Sequence, residues 1–347
     1  MRSMRIVGVL AGGACALALF TSAAEAQPTR DMLSRELEQN MREMRIFLSS
    51  NRSLAERLVA GRAAEGVTGV DQETRAITLF RNASADARLR AIALDKLHSA
   101  VAADAGLQRD VASVLADRAS AAVLREQALD VIEGLSFARP ASSLAAGTAG
   151  EKLLELLDDP NPAFRLRGMA LLMQEDNEAA RTRLGEGLLN PTAAAVPPPD
   201  AVRLLGAKLV SDVLPLLRQM MTSPPDQATR IEAIRALGRD PESREAIAAL
   251  LRDPRQPQAV RLQALASLDA NLGTPEFIPH ARPIVGDESA GDSLRVYAIQ
   301  SVKYRRGTVA ELAEDEFDAV VRAIAASSSA SAVLRQVARG YVQARGL

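Results

Sequence analysis

The chain has 347 residues, 48% hydrophobic and 24% charged, with 3% aromatics, one Cys, two His and no Trp. That apolar fraction is ordinary for a folded protein and excludes wholesale disorder, and the length accommodates two or three domains or one long array. Lys and Arg number 42 and Asp and Glu 43, so the net charge of −1 directs the chain to neither nucleic acid nor anionic lipid.

Residues 1–26 read as a secretory signal peptide. Arg2 and Arg5 give a positive start, Ile6–Phe20 is uncharged and mostly apolar, and Ala24-Glu25-Ala26 offers small residues for cleavage before Gln27. The apolar run is 15 residues, short of the roughly 18–20 that span a bilayer. Cys15 has Gly12 three positions before it, where a lipid-attachment site carries a large aliphatic residue, so lipidation is not expected. Cleavage removes this Cys and leaves a chain with no disulfide and no Cys-bound metal. The address expected is periplasmic or secreted.

Residues 27–70 show no repeat signature and are read as an N-terminal helical cap segment, with a dimerisation or partner helix as the alternative. Leu33, Leu37, Met41, Met44 and Leu48 fall at helical spacing within 31–49. Ser53-Leu54-Ala55-Glu56 is a capping box opening a second helix to about Arg62, and Gly61–Gly69 reads as a turn.

From residue 71 to 347 one pattern recurs: an aliphatic, Arg, two variable residues, Ala, then usually another aliphatic. The Arg positions are Arg90, Arg125, Arg167, Arg203, Arg230, Arg261, Arg295 and Arg335, spaced by 27 to 42 residues, all helical-hairpin lengths. Apolar residues at −1, +3, +4 and +7 from the Arg make one helical stripe. Asp86, Asp200, Asp226, Asp292 and Ser331 stand three or four residues before their Arg, where a side-chain oxygen can take the free N–H groups of a first turn. A first helix is expected before each copy, as at Glu151–Leu157, Asp212–Met221, Pro241–Leu251 and Glu311–Ala326, and Pro-rich joints separate them. The Ala at +3 is expected at the helix crossing, with Gly206 the one tolerated change. The repeated Arg are expected to be structural, each near the turn and pairing with a carboxylate or carbonyl there. Ser136–Gly150, rich in Ala, Gly and Ser, and Asn190–Asp200, a non-helical loop around Pro197-Pro198-Pro199, interrupt the spacing as surface connections, with a contact loop as the alternative for either.

This pattern resembles the HEAT-like repeats, in particular the short bacterial kind first described in bilin lyases, over residues 71–347. The resemblance implies an all-α fold, a right-handed superhelical α-solenoid of about eight stacked helical hairpins. Its second helices would line the concave face, and its usual work would be binding other proteins.

Catalytic chemistry is sparse. His98 and His280 are about five repeats apart and neither precedes a Glu, so they cannot share a metal as the His-Glu pairs of HEAT-like di-iron hydroxylases do. No phosphate loop, nucleophile elbow or haem motif is present, and no cofactor is implied. Without Trp or a net positive charge, nucleic acid is not an expected partner. All three Tyr lie in the last two repeats, and Tyr297, Gln300, Tyr304 and Arg305 form a candidate partner-binding patch. The function expected is an exported protein-binding scaffold of the periplasm or cell envelope, without catalysis. It would not be an integral membrane protein after signal cleavage. Two alternatives stand beside it: an envelope enzyme with carboxylates on the concave face, and a structural subunit of an envelope assembly.

Overall fold

A computed structural model describes residues 30–138, 148–307 and 315–347. Among these the regular elements are nineteen α-helices and four short 3-10 turns. None of the helices is long and apolar enough to cross a membrane. The signal segment lies outside the described residues, as does most of the Ser136–Gly150 insertion. Contacts divide the chain after Arg75 into two units.

The first unit contains the hairpin of α1 (Arg30–Phe47) and α2 (Leu54–Ala63). Ser53 caps α2: its hydroxyl accepts the Glu56 N–H, and the Glu56 carboxylate accepts the Ser53 N–H at 2.9 Å. Gly61 lies inside α2 and is buried, so the turn begins only after Ala63. Along the apolar stripe of α1, Met44, Phe47 and Leu48 are buried while Leu33, Leu37 and Met41 are exposed. The buried part of this stripe is therefore confined to the end of the helix nearest the hairpin turn.

α3 (Val70–Arg81) runs across the boundary. The second unit continues with α4 (Ala87–Asp95), a short α5 (His98–Ala103), and then seven hairpins. These are α6/α7 (Ala105–Ala116, Ala122–Ala138), α8/α9 (Thr148–Glu155, Pro162–Gln174), α10/α11 (Glu178–Leu189, Pro198–Ala207) and α12/α13 (Leu214–Thr222, Gln227–Leu237). There follow α14/α15 (Arg244–Arg252, Gln258–Asn271), α16/α17 (Thr274–Gly286, Asp292–Gly307) and α18/α19 (Glu316–Ala326, Ala332–Arg345). The second helices pack in series, α4 on α7, α7 on α9, and so on to α17 on α19. The second unit is thus an α-solenoid whose core is the seam between first- and second-helix layers.

Local chemistry explains the boundaries. Asp86, Asp226 and Ser331 cap α4, α13 and α19 with side-chain oxygens. Asp200 and Asp292 do not cap; each sits inside the first turn of its helix, where a negative charge meets the positive end of the peptide dipoles. α11 opens at Pro198, so Pro198, Pro199 and Asp200 are helical, not part of a loop as the prolines had indicated. A first-turn proline sacrifices only an N–H that has no intrahelical partner.

The small residue at +3 from the Arg is fully buried at Ala93, Ala128, Ala233, Ala264, Ala298 and Ala338. In α9 it is not: Ala170 is half-exposed, and Gly168 is buried instead. A Cβ on Gly168 would stand 3.0 Å from the Leu156 Cβ at the end of the first helix of that hairpin. The repeat in α9 is therefore framed on Phe164-Arg165 with Gly168-Met169, two residues earlier than the Arg167 spacing indicated. Gly206 also differs from expectation. A Cβ there would collide with the Ala236 Cβ of α13, so this glycine lets two neighbouring second helices approach; it does not serve the crossing within its own hairpin.

Candidate functional site: the second-helix ridge

Two sets of basic side chains build the surface formed by the second helices. The first works inside each hairpin. Arg90, Arg125, Arg261 and Arg295 each donate from Nε to a carbonyl ten residues earlier, on Phe80, Leu115, Leu251 and Val285, at 2.8–3.0 Å. Those carbonyls end the first helices, where the last four C=O groups have no intrahelical partner and the peptide dipoles favour a cation. Arg125, Arg261 and Arg295 are buried in doing so. Several also reach the next hairpin turn. Arg125 pairs with Asp159 and lies 4.3 Å over the Phe164 ring, and Arg261 stands 3.7 Å from Asp287. Arg230 donates to Thr222 O and to Gln256, and Arg335 to the carbonyls of Ser328 and Ala330.

Two of the eight repeated Arg do something else. Arg167 reaches Asp130 and Glu133 on α7, and the Glu133 hydrogen bond, then Asp130, holds its guanidinium firmly protonated. Arg165 takes the turn position instead, donating to Asp159 O and Ala195 O at 2.7 Å. Arg203 is exposed and pairs only with Asp200 one turn before it.

The second set links neighbouring second helices. Lys208 donates to Gln174 O at 2.8 Å, Arg239 to Gly206 O at 2.6 Å, and Arg305 to Leu272 O at 2.9 Å. Each cation follows the end of one second helix, or stands in its last turn, and caps the end of the preceding one.

The candidate patch divides along this line. Asp269 on α15 receives the Tyr297 hydroxyl at 3.2 Å, the Ser301 hydroxyl at 3.0 Å and Arg305 Nε at 2.6 Å. Arg305 also lies 4.8 Å from the Phe277 ring centre on α16, and its side chain is only 17% exposed. Burial, with the Asp269 charge beside it, pushes the Tyr297 hydroxyl above its usual range, so it stays a protonated donor. Tyr297 and Arg305 are thus bracing residues that fix α17 to α15. Tyr304, 71% exposed, and Gln300, also exposed, are left facing solvent on the same helix. Asp269 was the residue sequence reading missed; its partners lie 28 to 36 positions away, beyond any local pattern.

His98 donates from Nδ1 to the Asp95 carbonyl at 2.7 Å, and His280 lies on α16, where burial lowers its pKa. Among the described residues no three His, Cys, Asp or Glu side chains are grouped as a metal ion requires.

One comparison with known protein families bears on part of this geometry. Residues 214–303, from α12 to α17, match the family model described as HEAT repeats. Over those residues the chain carries HEAT repeats. A solved structure of human deoxyhypusine hydroxylase in complex with glycerol is 15% identical over 90% of this chain and 98% of that one, at a TM-score of 0.30. No curated protein matches the chain. The HEAT match covers α13, α15 and α17 as far as Lys303, and so includes Arg230, Arg261, Arg295 and Asp269 but not Arg305.

Proposed function

We propose that this chain is an exported scaffold of the periplasm or cell envelope that binds a protein partner on its C-terminal second-helix ridge and performs no catalysis itself. The observation that supports this most is the contrast on α17. Tyr297, Ser301 and Arg305 are all spent on Asp269, so the helix is held rigid. Tyr304 and Gln300 are presented from it with no structural duty of that kind. A large amphipathic ring on a braced helix offers contact area at little ordering cost, which is what a binding hot spot requires. HEAT repeats generally mediate protein interactions, and the N-terminal segment has the form of an export signal.

The test is capture of the partner from envelope extract by the mature chain and by its Tyr304→Ala form. Capture weakened about fivefold or more supports the assignment. Equal capture by both forms places the partner elsewhere.

A further inference from the structure

The charge of the second helices is unevenly shared. α13, α15, α17 and α19 together carry ten Lys and Arg against three acids, Glu232, Asp269 and Asp292. The first helices of the same hairpins, α12, α14, α16 and α18, carry five against four, and the whole chain is at −1. α19 contains no acid at all, and α17 none after Asp292.

Two of the three acids are committed. Glu232 pairs with Arg235, and Asp269 with Arg305. Most of the cations are committed too: Arg230, Arg261, Arg295 and Arg335 bond carbonyls of their own hairpins, and Arg345 pairs with Asp318 of α18. Lys303 is different. It is exposed, and among the described residues it has no carboxylate partner. A Cβ on Gly340 of α19 would stand 3.4 Å from its Nζ, so the ammonium reaches from α17 to α19 over a position with no side chain. One residue on, Tyr304 projects from the same helix.

Resting on the reading of this ridge as the partner surface, we infer that it takes an acidic segment of the partner protein, laid across α17 and α19. The acidic side chains would meet Lys303 and the positive field of the ridge, and an apolar side chain would pack on the Tyr304 ring. Single-stranded nucleic acid fits less well. It needs successive aromatic platforms, whereas Tyr304 is the single largely exposed aromatic among the described residues and Asp269 sits within the ridge.

The test uses the mature chain and fluorescence anisotropy with three probes: a short Glu peptide with Leu at every fourth position, its Lys-for-Glu counterpart, and a single-stranded oligonucleotide. The Glu peptide is expected to bind, and to bind more weakly between about 50 and about 200 mM salt. Lys303→Glu should weaken it about fivefold or more, while Arg255→Glu, at the exposed Asp253 turn, leaves it unchanged. Matching circular dichroism melts show that both variants fold. Failure of the Glu peptide to bind, equal binding of the Lys peptide, an unaffected Lys303→Glu, or tighter binding of the oligonucleotide each overturns the inference. If the Glu peptide fails while Tyr304→Ala still loses the natural partner, only the acidic class falls; if Tyr304→Ala keeps that partner, the ridge assignment falls as well.

Discussion

Arg57 of α2 donates from Nε to the Phe47 carbonyl, ten residues earlier at the end of α1, at 2.9 Å. Arg90 makes the same bond to Phe80 at the same distance. Three residues past Arg57, Ala60 is buried, as Ala93 is past Arg90. The α1/α2 hairpin is thus built on the same Arg-and-Ala device as the later hairpins, although residues 27–70 show no repeat signature as sequence. Glu56 precedes this Arg where the other copies have an aliphatic or Thr, and that substitution hides it.

The Arg device makes the first prediction. Arg261 is 5% exposed and its loss strands the Leu251 carbonyl and a buried cavity, so Arg261→Ala should destabilise by about 2–3 kcal/mol. Arg203→Ala, which removes only an exposed pair with Asp200, should cost less than about 0.5 kcal/mol. Denaturant titration of the two variants decides it; equal effects would show that the carbonyl bond contributes nothing.

The second concerns close approach. Gly206→Ala gains about 1 kcal/mol of helix propensity but must push α11 and α13 apart at Ala236. A net loss of about 1–2 kcal/mol is expected. Ala170→Ser, half-exposed on α9, should be nearly neutral. A stabilised Gly206→Ala variant would place the Gly206 backbone away from α13.

The third is a pH effect. Glu175 ends α9 with Oε2 buried and without a hydrogen-bond partner, and burial, with Asp176 nearby, raises its pKa although Lys208 opposes the shift. A carboxyl whose folded pKa is raised favours folding when protonated, and that contribution is lost as pH rises through the folded value. Glu175→Gln should therefore raise the melting temperature at pH 7 and bring no such gain at pH 3. Thermal melts at the two pH values check it, and an unchanged or lower melting temperature at pH 7 speaks against a strained carboxylate.

How much of this was legible in the sequence depended on how local the cause was. The hairpins were legible because Arg, Ala and aliphatic residues at −1, +3 and +4 encode one helical face, and because Asp86, Asp226 and Ser331 cap through neighbouring N–H groups. Arg165 was passed over because Phe164 and Gly168 replaced the aliphatic and the Ala, while Leu166-Arg167 and Ala170 imitated the motif two residues late. Pro197-Pro198-Pro199 reads as a breaker in sequence, yet only the start of a helix tolerates such a run. The Asp269 cluster was hidden for a different reason. A lone Asp on α15 gains meaning only when stacking brings α17 alongside it.

The fourth prediction follows from that cluster. Asp269 and Arg305 are 21% and 17% exposed, so Asp269→Asn weakens a largely shielded pair and two hydroxyl contacts. Destabilisation of about 1–2 kcal/mol is expected, with partner capture reduced because α17 loses its brace. Tyr304→Ala should show the opposite profile, a near-unchanged melt with lost capture. Thermal melts and capture assays on both variants separate a bracing residue from a contacting one, and identical profiles would contradict the division.

The most direct measurement is photo-crosslinking in the envelope of living cells, with Tyr304→benzoylphenylalanine on the ridge and Leu189→benzoylphenylalanine on α10. Both side chains are exposed, at 71% and 63%, but only the first stands on the second-helix ridge. The expected result is a discrete adduct from position 304, lost when Lys303→Glu is added, and none from position 189. Adducts of equal strength from both positions, or an adduct from 189 alone, would contradict a partner surface on the C-terminal ridge.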